Sequence, residues 1–465
     1  MYHKKDKMAG KRHLGLGKAA ASKKQKSAPA EIASNESTAS PVPENELTVE
    51  LGEEVNANDA IAQLRALWRD FVKTQDRSEL KVNGIIHECD RILKKYHARE
   101  AKGDEKDTGM KNGTESGEAS GKQQDSEDID DDEVIELSGE FYGIYGLALS
   151  SLGFFYTEEP SKVEEFFNEA KDRISVGKEK FPDSVALLFA EARVLINEIP
   201  LTSISPLTVE SKVSKKHRDV ASLLDECLAV WEKAEKLSEE RKNYKYYNLE
   251  NSDFLQALDD LLDMVDNFGK KPLEGKDSDS EDEDEDELTL SPKHPLFAIV
   301  ESDKYNLWWR EHTQRFLNNL NEKIRIEQIS ESDSRDSNLV LRRELCKRLG
   351  QSMLLEAEEP SNVFTTLTYY NKGEKSMNGL TRKDARDIGQ NLLLKAIEYL
   401  RLAQDEEDPD SWAALAEAMI SLGNMYELDS DEQESVYKEA EEILVRANNA
   451  TNGRYEKVLE NLTQT

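Results

Sequence analysis

Apolar residues recur at helical spacing along most of the chain. Ile61, Leu64, Trp68 and Phe71 follow one another at steps of three and four residues, which places them on one face of a helix. The same spacing predicts helices near residues 85–96, 139–156, 161–179, 184–198, 217–248, 251–268, 301–328, 335–357, 382–403, 410–425, 431–448 and 452–462. No segment alternates apolar and polar positions over enough residues to favour a strand. The pattern predicts an all-α body.

Bulky and small residues are spaced in a way that is typical of tetratricopeptide-like helix pairs. Small side chains let two antiparallel helices approach, while bulky ones fill the gap to the next pair. The pattern occurs at Leu149, Leu152, Gly153, Tyr156, Ala170, Ile174, Gly177 and Pro182, again at Trp412, Leu415, Ala416, Met419, Ala440, Leu444 and Ala447, and in half at Ala396, Leu400, Ala403 and Pro409. The spacing predicts a helical-repeat solenoid, and an irregular helical bundle stays open as the alternative.

Polar segments interrupt this body. Residues 1–56 have almost no aromatic side chains, which predicts a disordered tail. Residues 101–138 carry 13 acidic and 4 basic side chains, and within residues 269–292 the stretch 277–287 holds 9 acids in 11 positions. Because like charges repel one another, both stretches are predicted to be disordered acidic loops. The expected organisation is a tail followed by a single helical body over residues 57–465, interrupted by these two loops.

The overall charge and the cysteines exclude several classes of protein. With 62 basic and 95 acidic side chains, the formal net charge is -33, which disfavours direct binding of nucleic acid. Cys89, Cys227 and Cys346 are odd in number and widely separated, so we expect core thiols in a reducing compartment.

The uncharged stretch 141–157 contains several Gly, Ser and Tyr residues, and we interpret it as a buried core helix and not as a membrane span. No membrane partner is expected.

Two basic clusters in the tail have the spacing of a bipartite nuclear import signal. The first is Lys11 and Arg12, and the second, after ten residues, is Lys23, Lys24 and Lys26. A flexible segment that presents two cationic clusters can bind two acidic sites on an import receptor at once, which multiplies the affinities. The signal predicts a nuclear protein. A solubilising basic arm, or an arm that folds back on the acidic body, are the alternatives.

Two further groups of residues are candidate sites. Ser126, Ser278 and Ser280 are each followed by acids within three residues, the context that acidophilic kinases prefer, and phosphorylation would add about 1.5–2 negative charges to each serine.

The second group is a basic cluster on one predicted helix, formed by Arg342, Arg343, Lys347 and Arg348. It either pairs locally with Glu344 or Glu356, or contacts an acidic segment of a partner.

The sequence offers no pattern for catalysis. No two histidines lie four residues apart on a helix face, as a zinc helix requires, and no nucleophile elbow or phosphate-binding loop is present. We expect neither an enzyme nor a bound cofactor.

Several segments resemble the fungal enhancer of translation termination family. The likeness is carried by residues 82–93 (VNGIIHECDRIL), by residues 8–18 (MAGKRHLGLGK), by residues 141–155 and by the region of Trp412. Members of this family tend to begin at the equivalent of Met8. The resemblance implies a tetratricopeptide-like solenoid in the nucleus that acts as an adaptor for a 2-oxoglutarate- and iron-dependent prolyl hydroxylase, with the iron held by that partner. Ribosomal or termination-associated proteins are further candidate partners.

Two functions follow as hypotheses. The first is a nuclear, non-catalytic adaptor that binds the prolyl hydroxylase-type dioxygenase and promotes correct termination of translation. The alternative is an acidic, chaperone-like holder of basic ribosomal or histone proteins, in which residues 125–133 and 277–287 bind through salt-sensitive attraction.

Overall fold

The computed structural model describes residues 59–74, 78–107, 136–215, 218–270, 290–327, 334–370 and 373–463. These residues are mostly helical, which confirms the predicted all-α fold. They form two compact units that divide between Trp309 and Arg310, within α9 (Lys304–Glu327). The predicted tail and most of both acidic loops lie outside the described residues, and the single helical body over residues 57–465 stays a prediction.

The N-terminal unit is built from eight helices in the described residues. They are α1 Ala60–Lys73, α2 Glu79–Asp107, α3 Gly139–Leu152, α4 Pro160–Lys180, α5 Val185–Glu198, α6 Val220–Glu240, α7 Leu249–Asp266 and α8 Phe297–Val300. Short 3-10 turns follow α3 and α6 at Gly153–Phe155 and Tyr244–Tyr246, and a π-helical turn follows α5 at Ile199–Ile204. Neighbouring helices along the chain pack on one another from α1 to α6.

The C-terminal unit continues with α10 Ser334–Thr365, α11 Arg382–Leu402, α12 Pro409–Gly423, α13 Asp431–Ala450 and α14 Glu456–Thr463. Each of these helices packs on the next one along the chain. Between α10 and α11, β1 (Ser376–Met377) and β2 (Leu380–Thr381) pair in an antiparallel hairpin. Its two turn residues, Asn378 and Gly379, both have positive φ, as a tight hairpin turn requires.

Side-chain caps fix where many of these helices begin. The Asp59 carboxylate accepts hydrogen bonds from the backbone N–H groups of Ile61 and Ala62 at the start of α1. Such a cap satisfies donors that have no partner inside the helix. The same device begins α3, α5, α7, α11, α12 and α13, at Ser138, Ser184, Asn248, Thr381, Asp408 and Ser430.

Helix α3 lies at the centre of the N-terminal unit. It packs on α2, α4 and α5, and every residue from Phe141 to Ser150 is buried, as predicted for a core helix. A Cβ atom on Gly146 would lie 2.8 Å from Ile174 Cδ1, and one on Gly177 would lie 2.6 Å from Tyr142 Cβ. The two glycines therefore let α3 and α4 approach closely. In the part of the chain that the structure describes, none of the helices is long and apolar enough to cross a bilayer.

The second predicted pair, α12 and α13, has the same organisation. Leu415, Ala416 and Met419 are buried on α12, and Ala440 and Leu444 are buried on α13. Small and bulky residues again alternate along the contact between consecutive helices. This packing of consecutive helices confirms the tetratricopeptide-like helical-repeat fold.

Several predicted helix ends differ from the structure. Helix α2 extends from the predicted 85–96 to Asp107 and so enters the predicted loop over residues 101–138. The helix expected over residues 139–156 stops at Leu152 and gives way to the 3-10 turn. The helix expected to reach residue 248 stops at Glu240, because Lys242 has a φ of 51°, which a continuing helix does not allow. In contrast, α10 continues to Thr365 with Pro360 in its interior, although proline removes one helical hydrogen bond.

Candidate interaction surfaces

The predicted basic cluster lies on α10, at Arg342, Arg343, Lys347 and Arg348. Arg348 Nε donates to Glu344 Oε1 at 2.8 Å, and Arg343 Nη2 lies 3.2 Å from Asp405 Oδ2. These two cations are therefore paired within the C-terminal unit, and Glu344 is one of the two local acids that the sequence offered.

The rest of the cluster is less fully paired. Arg342 Nε is buried and has no hydrogen-bond partner among the described residues, and Lys347 is half-buried. Glu356, the other local acid that the sequence offered, pairs instead with Arg310 at 2.5 Å. Contact of the cluster with an acidic partner segment stays a prediction.

The other predicted sites lie outside the described residues. They are the import signal at Lys11, Arg12, Lys23, Lys24 and Lys26, and the serines Ser126, Ser278 and Ser280.

The N-terminal unit has a cleft that the sequence did not reveal. It lies among α1, α3, α5 and α7, and its cavity volume is about 30 Å³, which is room for a small group only. Trp68, Phe71, Phe189 and Phe254 supply an aromatic lining. All four rings are buried, and six of the twelve lining residues are polar or charged, so the cleft presents a polar rim above a closed aromatic base.

Polar groups face the same cleft. Trp68 Nε1 donates a hydrogen bond to Glu250 Oε1 at 2.6 Å, and Arg193 Nη1 donates to the Glu250 carbonyl oxygen at 3.1 Å. Arg193 also forms an ion pair with Asp253 at 3.0 Å. Burial raises the pKa of Glu250, while the Trp68 hydrogen bond and the charge of Arg193 oppose that shift. The arrangement fixes donors and acceptors beside buried rings, which can orient a bound group.

The three cysteines are core residues. Cys89, Cys227 and Cys346 are free and buried, as predicted, and burial raises the pKa of each thiol, to about 11 for Cys346. A buried thiol with a raised pKa is a poor nucleophile. Among the described residues, no group of three or more His, Cys, Asp or Glu side chains could hold a metal ion.

A second surface feature follows α3. Residues 153–156, called here the aromatic turn, expose Phe154 by 49% and Phe155 by 38%. Tyr156 Oη donates to Glu79 Oε1 at 2.6 Å, which ties the turn to the first residues of α2, where Leu80 is 58% exposed. The sequence prediction placed these aromatics inside a buried helix. The only signal for the exposed turn was the Gly153 that precedes them.

An all-α helical-repeat body that presents a cleft and exposed aromatic side chains has the architecture of a protein-binding scaffold. Comparison with known proteins identifies which scaffold it is. The chain belongs to the Nro1 family, described as "Nuclear pore complex subunit Nro1", which matches residues 8–463. This description confirms the nuclear location predicted from the sequence.

The relatives confirm the resemblance to the enhancer of translation termination family. Proteins named "Enhancer of translation termination 1" are 55% identical in Clavispora lusitaniae and 49% identical in Debaryomyces hansenii, and each match covers 98% of this chain and 100% of the relative. The chain is also similar to a solved structure described as S. pombe nuclear import adaptor Nro1. That match has 15% identity and a TM-score of 0.48, and it covers 90% of this chain and 99% of that chain.

Proposed function

We propose that the protein is a nuclear, non-catalytic adaptor that binds a 2-oxoglutarate- and iron-dependent prolyl hydroxylase-type dioxygenase and promotes correct termination of translation. Membership of the Nro1 family and the names of the relatives support the nuclear location and the link to termination. The observation that carries the adaptor role is the cleft of the N-terminal unit. Its fixed Glu250 and Arg193 side chains suit a hydrogen-bonded contact with a small polar group of a partner.

An affinity purification from nuclei with stepwise salt elution tests this proposal. We expect a dioxygenase that stays bound at moderate salt, because contacts in an aromatic cleft are screened less than contacts between exposed charges. The substitution Val72→Arg places a long cation at the cleft and should abolish recovery of the dioxygenase. Met264→Arg, at a residue of α7 that is 44% exposed, is the matched control. Equal recovery by both variants would reject the cleft as the binding site.

The acidic holder is the second candidate, and one feature of the C-terminal unit favours it. Residues 405–460 contain 16 acidic and 4 basic side chains, a net charge of -12 over α12, α13 and α14. Such a stretch attracts basic proteins in a salt-dependent manner. The holder predicts that basic proteins elute by about 0.3 M salt. It also predicts that deletion of residues 125–133 and 277–287 weakens their binding, so unchanged binding after that deletion argues against it.

We also propose that the tail directs nuclear import. Neutralising Lys23, Lys24 and Lys26 to glutamine removes one of the two clusters that an import receptor would bind together. We expect the variant, followed as a fluorescent fusion, to stay in the cytoplasm. Nuclear accumulation equal to that of the unchanged protein would contradict the assignment.

A further inference from the structure

The aromatic turn and the first turn of α2 both expose large apolar side chains. Phe154, Phe155 and Leu80 are each more than one third exposed, and the hydrogen bond between Tyr156 and Glu79 joins the two segments that carry them. Single exposed apolar residues are common on protein surfaces, but three large ones on two adjoining segments indicate a binding site. We call these three residues the Phe154 patch.

The Phe154 patch is held in place by its surroundings. A Cβ atom on Gly153 would lie 2.8 Å from Phe167 Cε2, so the backbone of the turn lies directly against the core. The Tyr156 ring lies 5.3 Å from that of Phe166, between ring centroids, and Lys162 Nζ lies 4.4 Å from the centre of the Tyr156 ring. A patch fixed in this way loses little conformational freedom when it binds a partner.

Acidic side chains follow the aromatic turn along the chain. Residues 157–165 contain four glutamates and one lysine, and that lysine, Lys162, is paired with Glu159 at 2.9 Å. Glu158, Glu164 and Glu165 are exposed. The surface therefore fits a segment that combines apolar side chains with several positive charges.

We propose that the Phe154 patch binds residues 11–18 of the same chain. This segment, KRHLGLGK, carries Leu14 and Leu16 between Lys11, Arg12 and Lys18, which matches an apolar patch with an acidic rim. The 41 residues from Lys18 to Asp59 can reach at most roughly 140 Å from Asp59, the length of a fully extended chain. Since α1 packs on α2, whose first turn carries Leu80, a tether of this length can reach the patch within the same molecule.

Binding at this surface has a regulatory consequence. Lys11 and Arg12 form one half of the proposed import signal, so an import receptor and the Phe154 patch compete for the same two residues. This consequence rests on the proposed function, whereas the docking itself does not.

Photo-cross-linking within the full-length chain tests the docking. A p-benzoylphenylalanine residue in place of Leu14 should cross-link to residues 79–80 or 153–166, and the yield should not depend on protein concentration, because the contact is intramolecular. The same photoreactive residue in place of Ala33 is the positional control and should give no cross-link to those residues. Cross-links from position 14 to other parts of the body, or no intramolecular cross-links at all, would overturn the proposal.

Substitutions at the patch give a second readout. Phe154→Ser combined with Phe155→Ser should lower the cross-link yield by about tenfold or more, because it removes most of the apolar contact. Met264→Ser, which changes an apolar residue on α7 that is 44% exposed, should leave the yield unchanged. Both variants should keep the melting temperature of the unchanged protein, since the substituted side chains are exposed. An undiminished yield in the double variant would count against the Phe154 patch, whereas cytoplasmic retention of the Lys23, Lys24 and Lys26 variant reports separately on import.

Discussion

The pairs α3–α4 and α12–α13 share a spacing of bulky and small residues but bring their helices together by different means. In α3–α4 the contact points are glycines, and Gly177 leaves no room for a Cβ atom beside Tyr142. In α12–α13 most small positions are buried alanines, and Leu444 fills the space between them. The tight glycine of this pair, Gly423, faces ring atoms of the Tyr437 side chain and not a Cβ atom. Adding a side-chain atom at a glycine should therefore destabilise the α3–α4 contact. Removing side-chain atoms should destabilise the α12–α13 contact.

The largest effect on stability is expected in α12–α13, whose contact depends on a bulky buried side chain. Leu444→Ala should lower the free energy of unfolding by about 2–5 kcal/mol, because Leu444 is fully buried and its removal leaves a cavity. Urea denaturation followed by circular dichroism measures this change. Val445→Ala, on the same helix but 43% exposed, should change the stability by less than about 1 kcal/mol. Similar losses in both variants would refute the role of Leu444.

The next largest effect on stability is expected in α3–α4, whose contact depends on glycine. Gly177→Ala should destabilise the protein by about 2 kcal/mol, because the new Cβ would lie 2.6 Å from Tyr142 Cβ, an atom that cannot move without its backbone. Gly84 of α2 is the matched site, since a Cβ there meets nothing within 4 Å. Gly84→Ala should stabilise by up to ~1 kcal/mol through helix propensity. The two alanine variants should thus shift the urea midpoint in opposite directions.

A smaller, pH-dependent effect is expected at the cleft. The folded-state pKa of Glu250 is raised above its ordinary value of 4.5, chiefly by burial. A raised pKa favours the folded state below the unfolded pKa, and this contribution is lost as pH rises through the folded pKa. Glu250→Gln cannot titrate and still accepts the Trp68 hydrogen bond, so its stability relative to the unchanged protein should increase from pH 4 to pH 8. Urea denaturation at each pH measures the difference, and Glu158→Gln, at an exposed site, is the matched control.

The smallest effect is expected at the basic cluster of α10. Glu344→Gln removes the partner of Arg348, but the Glu344 side chain is 48% exposed and the pair spans one helical turn. We expect a loss within about 0.5 kcal/mol, which decreases further at high salt. A loss above 1 kcal/mol in urea denaturation would mean that the cluster stabilises the fold more strongly than exposed ion pairs usually do.

Helical periodicity was sufficient to predict most of the fold, because the faces that it identified are the faces that pack. Leu64 and Phe71 of α1 are buried, as are Ala170 and Ile174 of α4. The hairpin was missed although Asn378 and Gly379 form a recognised turn pair, since its strands of two residues each are too short to show alternation.

The candidate sites were much less predictable. Trp68 and Glu250 meet in the cleft although 182 positions separate them, and no local pattern links the two segments. Phe154 and Phe155 continue the apolar stretch of α3, so their sequence spacing predicted burial, while the end of the helix at Leu152 leads to their exposure. Which apolar residues remain exposed depends on where a helix ends, and periodicity does not determine that point within a residue or two.

The three buried thiols can report on local opening of the helices that carry them. Cys89, Cys227 and Cys346 lie on α2, α6 and α10, and each has no exposed surface. Because only an exposed thiolate reacts quickly with an alkylating reagent, the labelling rate of each cysteine measures how often its helix opens. Mass spectrometry of the alkylated peptides would then follow the dynamics of both compact units in the natural sequence, without an introduced probe.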